Sequence, residues 1–267
     1  MKCVSNWHQY EERIDIGLSF ILRELKKRKL KATFFILGWI AEKYPEKIAK
    51  ILDDGHEIGN HTYSHKLVYE QSKEEFRLDV ERAMDAIYPI TKQATTMFRA
   101  PGFSITRNTQ WAFKELSDLG FEIDASVFSS NRSHGGFAEI SYHEPFAIDC
   151  EKSQPIIEFP TIPANLIGLN FVCTGGGYFR LCPDFLRKSL QRDMDRYSMW
   201  YFHPRDFDCE QPRLPNLSLS KKFKSYVGLK SSPRKFQSLL DELNFCTIGE
   251  AQMELDVAAL PKYRPEH

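Results

Sequence analysis

The 267-residue chain has 36 basic and 36 acidic residues, so it carries no net charge that would attract nucleic acid. Its hydrophobic content of 42% is ordinary for a globular protein, and no apolar run reaches the about 18 residues that predict a membrane span. The six cysteines include no C-x-x-C pair, and the polar N-terminus lacks the apolar stretch of a signal peptide. We therefore expect reduced thiols and a cytoplasmic protein.

Helices and strands alternate along the first half of the sequence. Apolar residues recur at helical spacing in the first predicted helix, and Ser72 and Glu75 have the spacing of a capping box. Short βα units separated by Gly or Pro are typical of a parallel α/β sheet or barrel. The predicted helices are 14–29, 45–54, 72–88 and 106–119, and the predicted strands are 31–37, 56–59, 96–98 and 121–124.

The second half is less regular. Residues 129–155 predict an irregular excursion. The string FVCTGGGYFRL matches neither glycine pattern of nucleotide-binding loops. Its glycines instead predict close approach of the backbone to a substrate or to the sheet. Residues 211–240 contain basic but no acidic residues, which fits either an anionic substrate or a solvated surface. With no repeat or linker, we expect one domain, 1–267. The remaining predicted elements are strands 156–159, 198–202 and 245–248 and helices 183–196 and 232–243.

Two histidines follow the strand predicted at 56–59. His61 and His65 are four residues apart in HTYSH, so their imidazoles can reach one cation such as zinc, at bonds of about 2.0–2.1 Å. The preceding HEIGNH is not the H-E-x-x-H motif, because residue 60 is Asn, and we expect His56 to be structural. By itself, the pair is a weak indication of a metal site.

Three further motifs close predicted strands in a fixed order. RAPGF stands at 99–103, DAS at 124–126 and YFHP at 201–204. The series resembles the polysaccharide deacetylases of the NodB-homology type, carbohydrate esterase family four. The strings GWIAEKYPE, HKLVYEQSKEEF, GGGYFRL and HPRDFDCEQPRLP are similar to a subfamily found in exopolysaccharide loci associated with exosortase systems. The resemblance implies a deformed (β/α) barrel, with core motifs in about 10–130 and a subfamily-specific region in about 130–250 that carries the last catalytic motif.

The resemblance also implies roles for particular residues. His61 and His65 would bind a divalent metal, with zinc expected. His203 would be the general acid that protonates the departing amine. Arg99 would orient the catalytic base, and Asp124 would support the acid histidine or the site around it. These roles suit an amidase, because a metal polarises the carbonyl and an imidazole can donate a proton near neutral pH.

Four more residues are candidates for contact with substrate. The backbone at Gly102 and Phe103 would offer an N–H to the oxyanion. Tyr178 and Arg180, beside the three glycines, would contact sugar hydroxyls or a carboxylate. The expected partner is a polysaccharide or a lipid-linked sugar, with no nucleic acid and no membrane span.

The family's first motif is missing from the sequence. That motif is a strand ending in Asp-Asp or Asp-x-Glu-Asp, which supplies the catalytic base and the third metal ligand. MKCVSNWHQYEERID contains no such strand. We therefore expect a barrel without its first strand, through truncation or loss, and a weakly active or inactive chain.

The predicted function is removal of N-acetyl groups from a polysaccharide or its precursor in exopolysaccharide biosynthesis, a reaction at non-peptide carbon–nitrogen bonds. Two alternatives remain: a C–N hydrolase acting on a small amide, and a non-catalytic carbohydrate-binding pseudoenzyme.

Overall fold

A computed structural model describes residues 7, 10–130, 135–151, 153–166, 169–171, 173–192, 197–214 and 217–266. The sequence predicts one domain, whereas contacts group the chain into two compact units, each made of separate segments. Unit 1 comprises Met1–His8, Lys31–Thr161 and Cys246–His267, and unit 2 comprises Gln9–Leu30 and Ile162–Phe245.

Unit 1 is built on a seven-stranded sheet with the strand order β1-β2-β3-β4-β6-β5-β9. All neighbouring strands are parallel except β5 and β6, which confirms the predicted α/β class. The carboxyl ends of β1 to β4 and β6 therefore lie along one edge of the sheet. The strands are β1 (Thr33–Ile36), β2 (Glu57–Asn60), β3 (Met97–Phe98), β4 (Ile123–Asp124), β5 (Phe146–Ile148), β6 (Ile156–Glu158) and β9 (Lys262–Tyr263).

Helices pack on this sheet through apolar faces. The longest one begins after the predicted capping box: Ser72 Oγ accepts a hydrogen bond from Glu75 N at 3.2 Å, and the Glu75 carboxylate accepts one from Ser72 N at 2.9 Å. Its buried residues recur every three or four positions, as packing of one helix face requires. The helices of unit 1 are α2 (Gly38–Lys43), α3 (Pro45–Asp53), α4 (Lys73–Thr91), α5 (Trp111–Asp118) and α10 (Ile248–Met253).

Two predictions for this unit were wrong. The strand predicted at 245–248 is instead the start of α10, because Thr247 caps that helix by accepting a hydrogen bond from Glu250 N at 3.1 Å. The excursion predicted at 129–155 contains β5, whose three residues are buried because the strand lies between β6 and β9.

Unit 2 consists mainly of helices. The first predicted helix is confirmed as α1, and its Phe20 ring lies 5.0 Å from Phe207 and 6.1 Å from Phe236, measured between ring centroids. The buried strand predicted at 198–202 was wrong: Tyr201 makes a single β-bridge with Gly175, and the segment is only half-buried. The elements are α1 (Ile14–Arg28), β7 (Ala164–Leu166), β8 (Leu169–Phe171), α6 (Gly176–Leu181), α7 (Asp184–Arg192), α8 (Leu219–Tyr226) and α9 (Ser232–Glu242).

No helix in the described ranges combines the length and the apolar character that a bilayer crossing requires.

Candidate active site

The two predicted ligand histidines lie in a tight loop directly after β2. Asn60, the last strand residue, is fully buried, and its side chain ties the loop down: Oδ1 accepts a hydrogen bond from Thr62 N at 2.8 Å, and Nδ2 donates to Val80 O at 3.3 Å. Thr62 then accepts a hydrogen bond from His65 N at 3.1 Å. The loop is therefore fixed from both ends by short polar side chains.

The ring nitrogens of His61 have separate tasks. Nδ1 lies 2.6 Å from the carbonyl oxygen of Arg99, so Nδ1 carries the proton and donates it. That tautomer leaves Nε2 as the nitrogen able to bind a metal, and a backbone partner on the other nitrogen is the usual support of a metal-binding histidine.

His65 completes the pair from a strained backbone. Its φ of 56° is unusual for a residue other than glycine, as is the φ of 63° at Thr62. The two imidazole rings lie 5.1 Å apart between centroids, with an interplanar angle of 77°. Burial lowers the pKa of His65, which keeps the ring neutral and able to act as a ligand.

Arg99 connects this loop to the next strand end. Its backbone N donates to Asn60 O at 3.0 Å, and its Nε donates to Ala125 O at 2.9 Å. The guanidinium lies over the ring of Phe35, 4.8 Å from the ring centroid. Arg99 is thus held by backbone and aromatic contacts along the sheet edge, and its predicted role in orienting a base stays a prediction.

The RAPGF loop turns sharply at the next two candidates. Gly102 and Phe103 both have left-handed backbone, with φ of 64° and 55°. The N–H of Phe103 points at Ala100 O at 3.4 Å, a long contact, and Phe103 O accepts a hydrogen bond from Gly136 N at 2.9 Å. The oxyanion role of this backbone stays a prediction.

Gly135 supports that loop, and its substitution is expected to destabilise unit 1. A Cβ at Gly135, where φ is 145°, would lie 2.2 Å from Phe103 O. We expect Gly135→Ala to lower the free energy of unfolding by about 3 kcal/mol in urea denaturation. Gly120→Ala is the matched control, because Gly120 also has positive φ, 86°, but has nothing near its Cβ position. Equal losses in both variants would contradict the steric explanation.

A second carboxyl group lies beside Asp124. Asp124 on β4 and Glu158 on β6 are register partners, and both side chains are fully buried. Asp124 Oδ1 accepts a hydrogen bond from Ser126 Oγ at 2.5 Å, and Glu158 Oε1 accepts one from Val127 N at 2.9 Å. The remaining oxygens, Oδ2 and Oε2, find no donor among the described groups, so the two carboxyls satisfy each other only by sharing a proton.

Burial raises the pKa of both carboxyls. Burial and then the neighbouring Asp124 charge raise the pKa of Glu158 well above its usual range. Burial also raises the pKa of Asp124, but hydrogen bonds from Glu158 and Ser126 oppose that shift. Ser126 Oγ in turn accepts a hydrogen bond from Ala100 N at 2.7 Å, so the carboxyl pair anchors the RAPGF loop.

Glu158 belongs to none of the sequence motifs described above. A signal was present, because Glu158 is the one carboxylate within the apolar strand predicted at 156–159. An acidic residue in a buried strand requires a partner, and that requirement is independent of any family motif.

His203 lies in unit 2, at the start of a short helical turn, Pro204–Phe207. Its backbone N donates to Asp206 Oδ2 at 2.9 Å, and its Nδ1 lies 3.5 Å from the same oxygen. The His203 side chain is 54% exposed, whereas that of Asp206 is 4% exposed. A partly exposed imidazole on a buried carboxylate suits the predicted role in proton transfer.

The predicted sugar contact at Arg180 does not agree with its placement. The side chain is buried, and its guanidinium binds Asp206 and donates to three backbone carbonyls, Val227 O, Lys224 O and Ser225 O. Arg180 therefore holds protein groups, and we assign it to the support of Asp206. Tyr178, in contrast, is 41% exposed and stays a candidate for substrate contact.

Two of the three glycines, Gly175 and Gly177, lie close to other backbone, although that backbone is not part of the sheet that the sequence analysis names. A Cβ at Gly175 would lie 2.4 Å from Tyr201 O, and one at Gly177 would lie 2.7 Å from Lys224 O. The close approach is to neighbouring protein backbone in unit 2.

The two histidines fit part of a metal site. Nitrogen ligands and a preset tautomer at His61 suit zinc or a similar divalent cation. Across the described ranges, however, no group of three His, Cys, Asp or Glu side chains is arranged to hold a metal. The described side chains would thus supply two ligands of such a site, and the metal role of both histidines stays a prediction.

Comparison with known proteins finds similarity in both halves of the chain. Residues 18–122 match the family model for polysaccharide deacetylase, and residues 125–252 match a domain of unknown function, DUF3473. A Bacillus cereus peptidoglycan-N-acetylglucosamine deacetylase is 36% identical over 96 residues, which are 36% of this chain and 35% of the relative. Chitin deacetylase 1 of Saccharomyces cerevisiae is 34% identical over 92 residues, 34% of this chain and 31% of that protein. The chain therefore spans about a third of the length of these curated relatives.

Solved structures share the fold. A candidate polysaccharide deacetylase from Mycobacterium smegmatis superposes with a TM-score of 0.64 at 18% identity, covering 95% of this chain and 82% of the other. A CE4 family pseudoenzyme from Bacillus anthracis gives a TM-score of 0.51 at 18% identity, covering 96% and 67%. The α/β architecture is that of the NodB-homology deformed barrel, and within it residues 18–122 match the polysaccharide deacetylase family model.

Proposed function

We propose that the chain is a metal-dependent hydrolase that removes N-acetyl groups from a polysaccharide or its precursor, acting in the cytoplasm during exopolysaccharide biosynthesis. The observation that carries the proposal is the fixed histidine pair, His61 and His65, on a polysaccharide deacetylase domain. The curated relatives are named for deacetylation of N-acetylated polymers, which supports an N-acetylated polysaccharide as the substrate class.

Each of the predicted residues has a role in the proposed reaction. His61 Nε2 and the neutral ring of His65 hold the cation, which supplies Lewis acidity at the acetamide carbonyl when it is bound. Arg99 holds His61 in its metal-binding tautomer through its carbonyl oxygen. His203 delivers a proton to the nitrogen of the departing amine. Asp124 and Glu158 keep the RAPGF loop in place through Ser126.

A second candidate, a carbohydrate-binding pseudoenzyme, is favoured by one observation. Among the described residues, no third side chain completes a metal-binding group with the two histidines. A site with two protein ligands binds zinc weakly, and without a carboxylate base its water is poorly activated.

Metal titration and acetate release together test the proposal. We expect zinc to bind the chain in calorimetry with one ion per molecule, and His61→Ala and His65→Ala each to abolish that binding. His143→Ala is the matched control, because His143 is exposed and lies outside the loop. Acetate released from N-acetylglucosamine oligomers, but not from a small acetamide, would distinguish the polymer substrate from the small-amide alternative.

Two results would contradict parts of the proposal. Zinc binding that survives both histidine substitutions would refute the site. Absence of both stoichiometric zinc and acetate release would favour the pseudoenzyme.

A further inference from the structure

Three polar side chains form a chain inside unit 2. Arg180 is buried on α6, and its guanidinium binds Asp206 Oδ1. The other carboxylate oxygen, Oδ2, accepts a hydrogen bond from His203 N at 2.9 Å and lies 3.5 Å from His203 Nδ1. The order from the interior of the unit to solvent is therefore arginine, aspartate, histidine.

Both buried members of this chain are held rigidly. Gly228 packs directly on Arg180, since a Cβ at Gly228 would lie 2.5 Å from Arg180 O. The Arg180 carbonyl also accepts a hydrogen bond from Lys235 Nζ at 2.8 Å. A carboxylate this deeply buried is stable only when it is paired, and the arginine provides that pairing.

We propose that Asp206 is the positioning residue for His203, and that Arg180 fixes Asp206 in the orientation that this task requires. The inference depends on the proposed function in one respect, namely that the reaction assigned to His203 is deacetylation. The local geometry of the Asp206–His203 pair is independent of any substrate.

Asp206 and His203 belong to the same short helical turn. Since Asp206 is three residues from His203 in one helical turn, its carboxylate contacts both the backbone N–H and the ring of the same histidine. The backbone contact fixes the carboxylate beside the histidine, and the approach of Oδ2 to Nδ1 at 3.5 Å favours the ring orientation in which Nδ1 faces Asp206 and Nε2 faces away from it. An aspartate on a catalytic histidine has this effect on orientation and also favours the charged ring.

Other charged groups near the turn bind partners other than the His203 ring. Arg13 on α1 binds Asp208, with 2.6 Å between Nε and Oδ2, and Lys235 on α9 donates to the carbonyls of Arg180 and Cys182. Arg205 is exposed and donates to Gln211 at 2.8 Å. Asp206 is thus the carboxylate whose contact with the His203 ring the structure shows.

The pKa of the His203 ring, followed by NMR on the full chain labelled at histidine, tests the proposal without reference to activity. Asp206→Asn keeps the shape and removes the charge, so we expect the pKa of His203 to fall by about 0.5–1 unit. Asp208→Asn is the matched control: it also removes a buried carboxylate from this segment but leaves the contact with His203 intact. An unchanged pKa in Asp206→Asn, or an equal fall in both variants, would overturn the proposal.

A second variant separates position from charge. Asp206→Glu keeps the charge on a longer side chain, so the pKa of His203 should stay within about 0.3 unit of the original value. Acetate release should fall about tenfold in kcat with KM unchanged, because the ring is misdirected and substrate binding is not. Wild-type kcat in Asp206→Glu would overturn the positioning role. If the wild-type chain releases no acetate, the proposed function fails, while the NMR result still decides the role of Asp206.

Discussion

Replacing Glu158 with Gln is expected to change the pH dependence of stability. The pKa of Glu158 is raised in the folded state, so the folded chain retains a proton that the unfolded chain loses above about pH 4.5. The stability that this proton contributes is fully present below that pH and is lost as the pH rises toward the folded-state pKa. The wild-type free energy of unfolding should therefore decline by up to about 1.4 kcal/mol per pH unit across this window.

Glu158→Gln removes this titration and keeps a neutral donor facing Asp124. Denaturation in urea at pH 5 to 8 should then give a flatter curve than that of the wild type. Glu122→Gln is the matched control. Glu122 is an exposed carboxylate directly before β4, the strand that carries Asp124. Glu158→Leu, which leaves Oδ2 of the buried Asp124 facing an apolar side chain, should cost about 3 kcal/mol at pH 7. Parallel curves for wild type and Glu158→Gln would refute the shared proton.

Gly17→Ala is expected to cause a large loss of stability in unit 2. Gly17 is the fourth residue of α1, and alanine normally favours a helix over glycine by about 1 kcal/mol. A Cβ at this position would lie 1.8 Å from Pro204 O, which is backbone and cannot rotate away. We expect a net loss of about 3 kcal/mol and, since Pro204 follows His203, a disturbed His203 ring signal in NMR.

Ser19→Ala in the same helix is the control for helix propensity. Ser19 is exposed, so its replacement should stabilise α1 slightly and leave the His203 signal unchanged. A Gly17→Ala variant as stable as Ser19→Ala would show that the helix and the turn are not in close contact.

Periodicity and turn residues predicted the regular part of the fold. The helices α1, α3, α4 and α9 and the strands β1 and β2 lie close to their predicted positions, because each combines an apolar face with clear end signals. The segments 198–202 and 245–248 failed, since a short apolar run has no periodicity that separates a strand from a loop or a helix start. Strand β9 was missed because two residues, Lys262 and Tyr263, carry no pattern at all.

The candidate site, like the fold, could be predicted only in part from the sequence. Residues recognisable by motif, such as His61 and His65, could be named from the sequence, and the structure places them in one loop. Two supporting residues could not: Asn60 and Glu158 act through contacts that depend on the loop geometry after β2 and on strand register. Arg180 was assigned to substrate because burial of an arginine cannot be read from neighbouring glycines.

The division of unit 2 between two remote segments has a consequence for synthesis on the ribosome. Arg13 and its partner Asp208 are 195 residues apart, and Arg28 contacts Asp241 across 213 residues. These partners are translated 195 and 213 residues after the arginines that they bind, so the α1 segment lacks both ion pairs during most of elongation. A chain stalled before about residue 200 should therefore recruit chaperones through α1, and the Gln9–Leu30 segment should be the region most sensitive to protease in nascent chains.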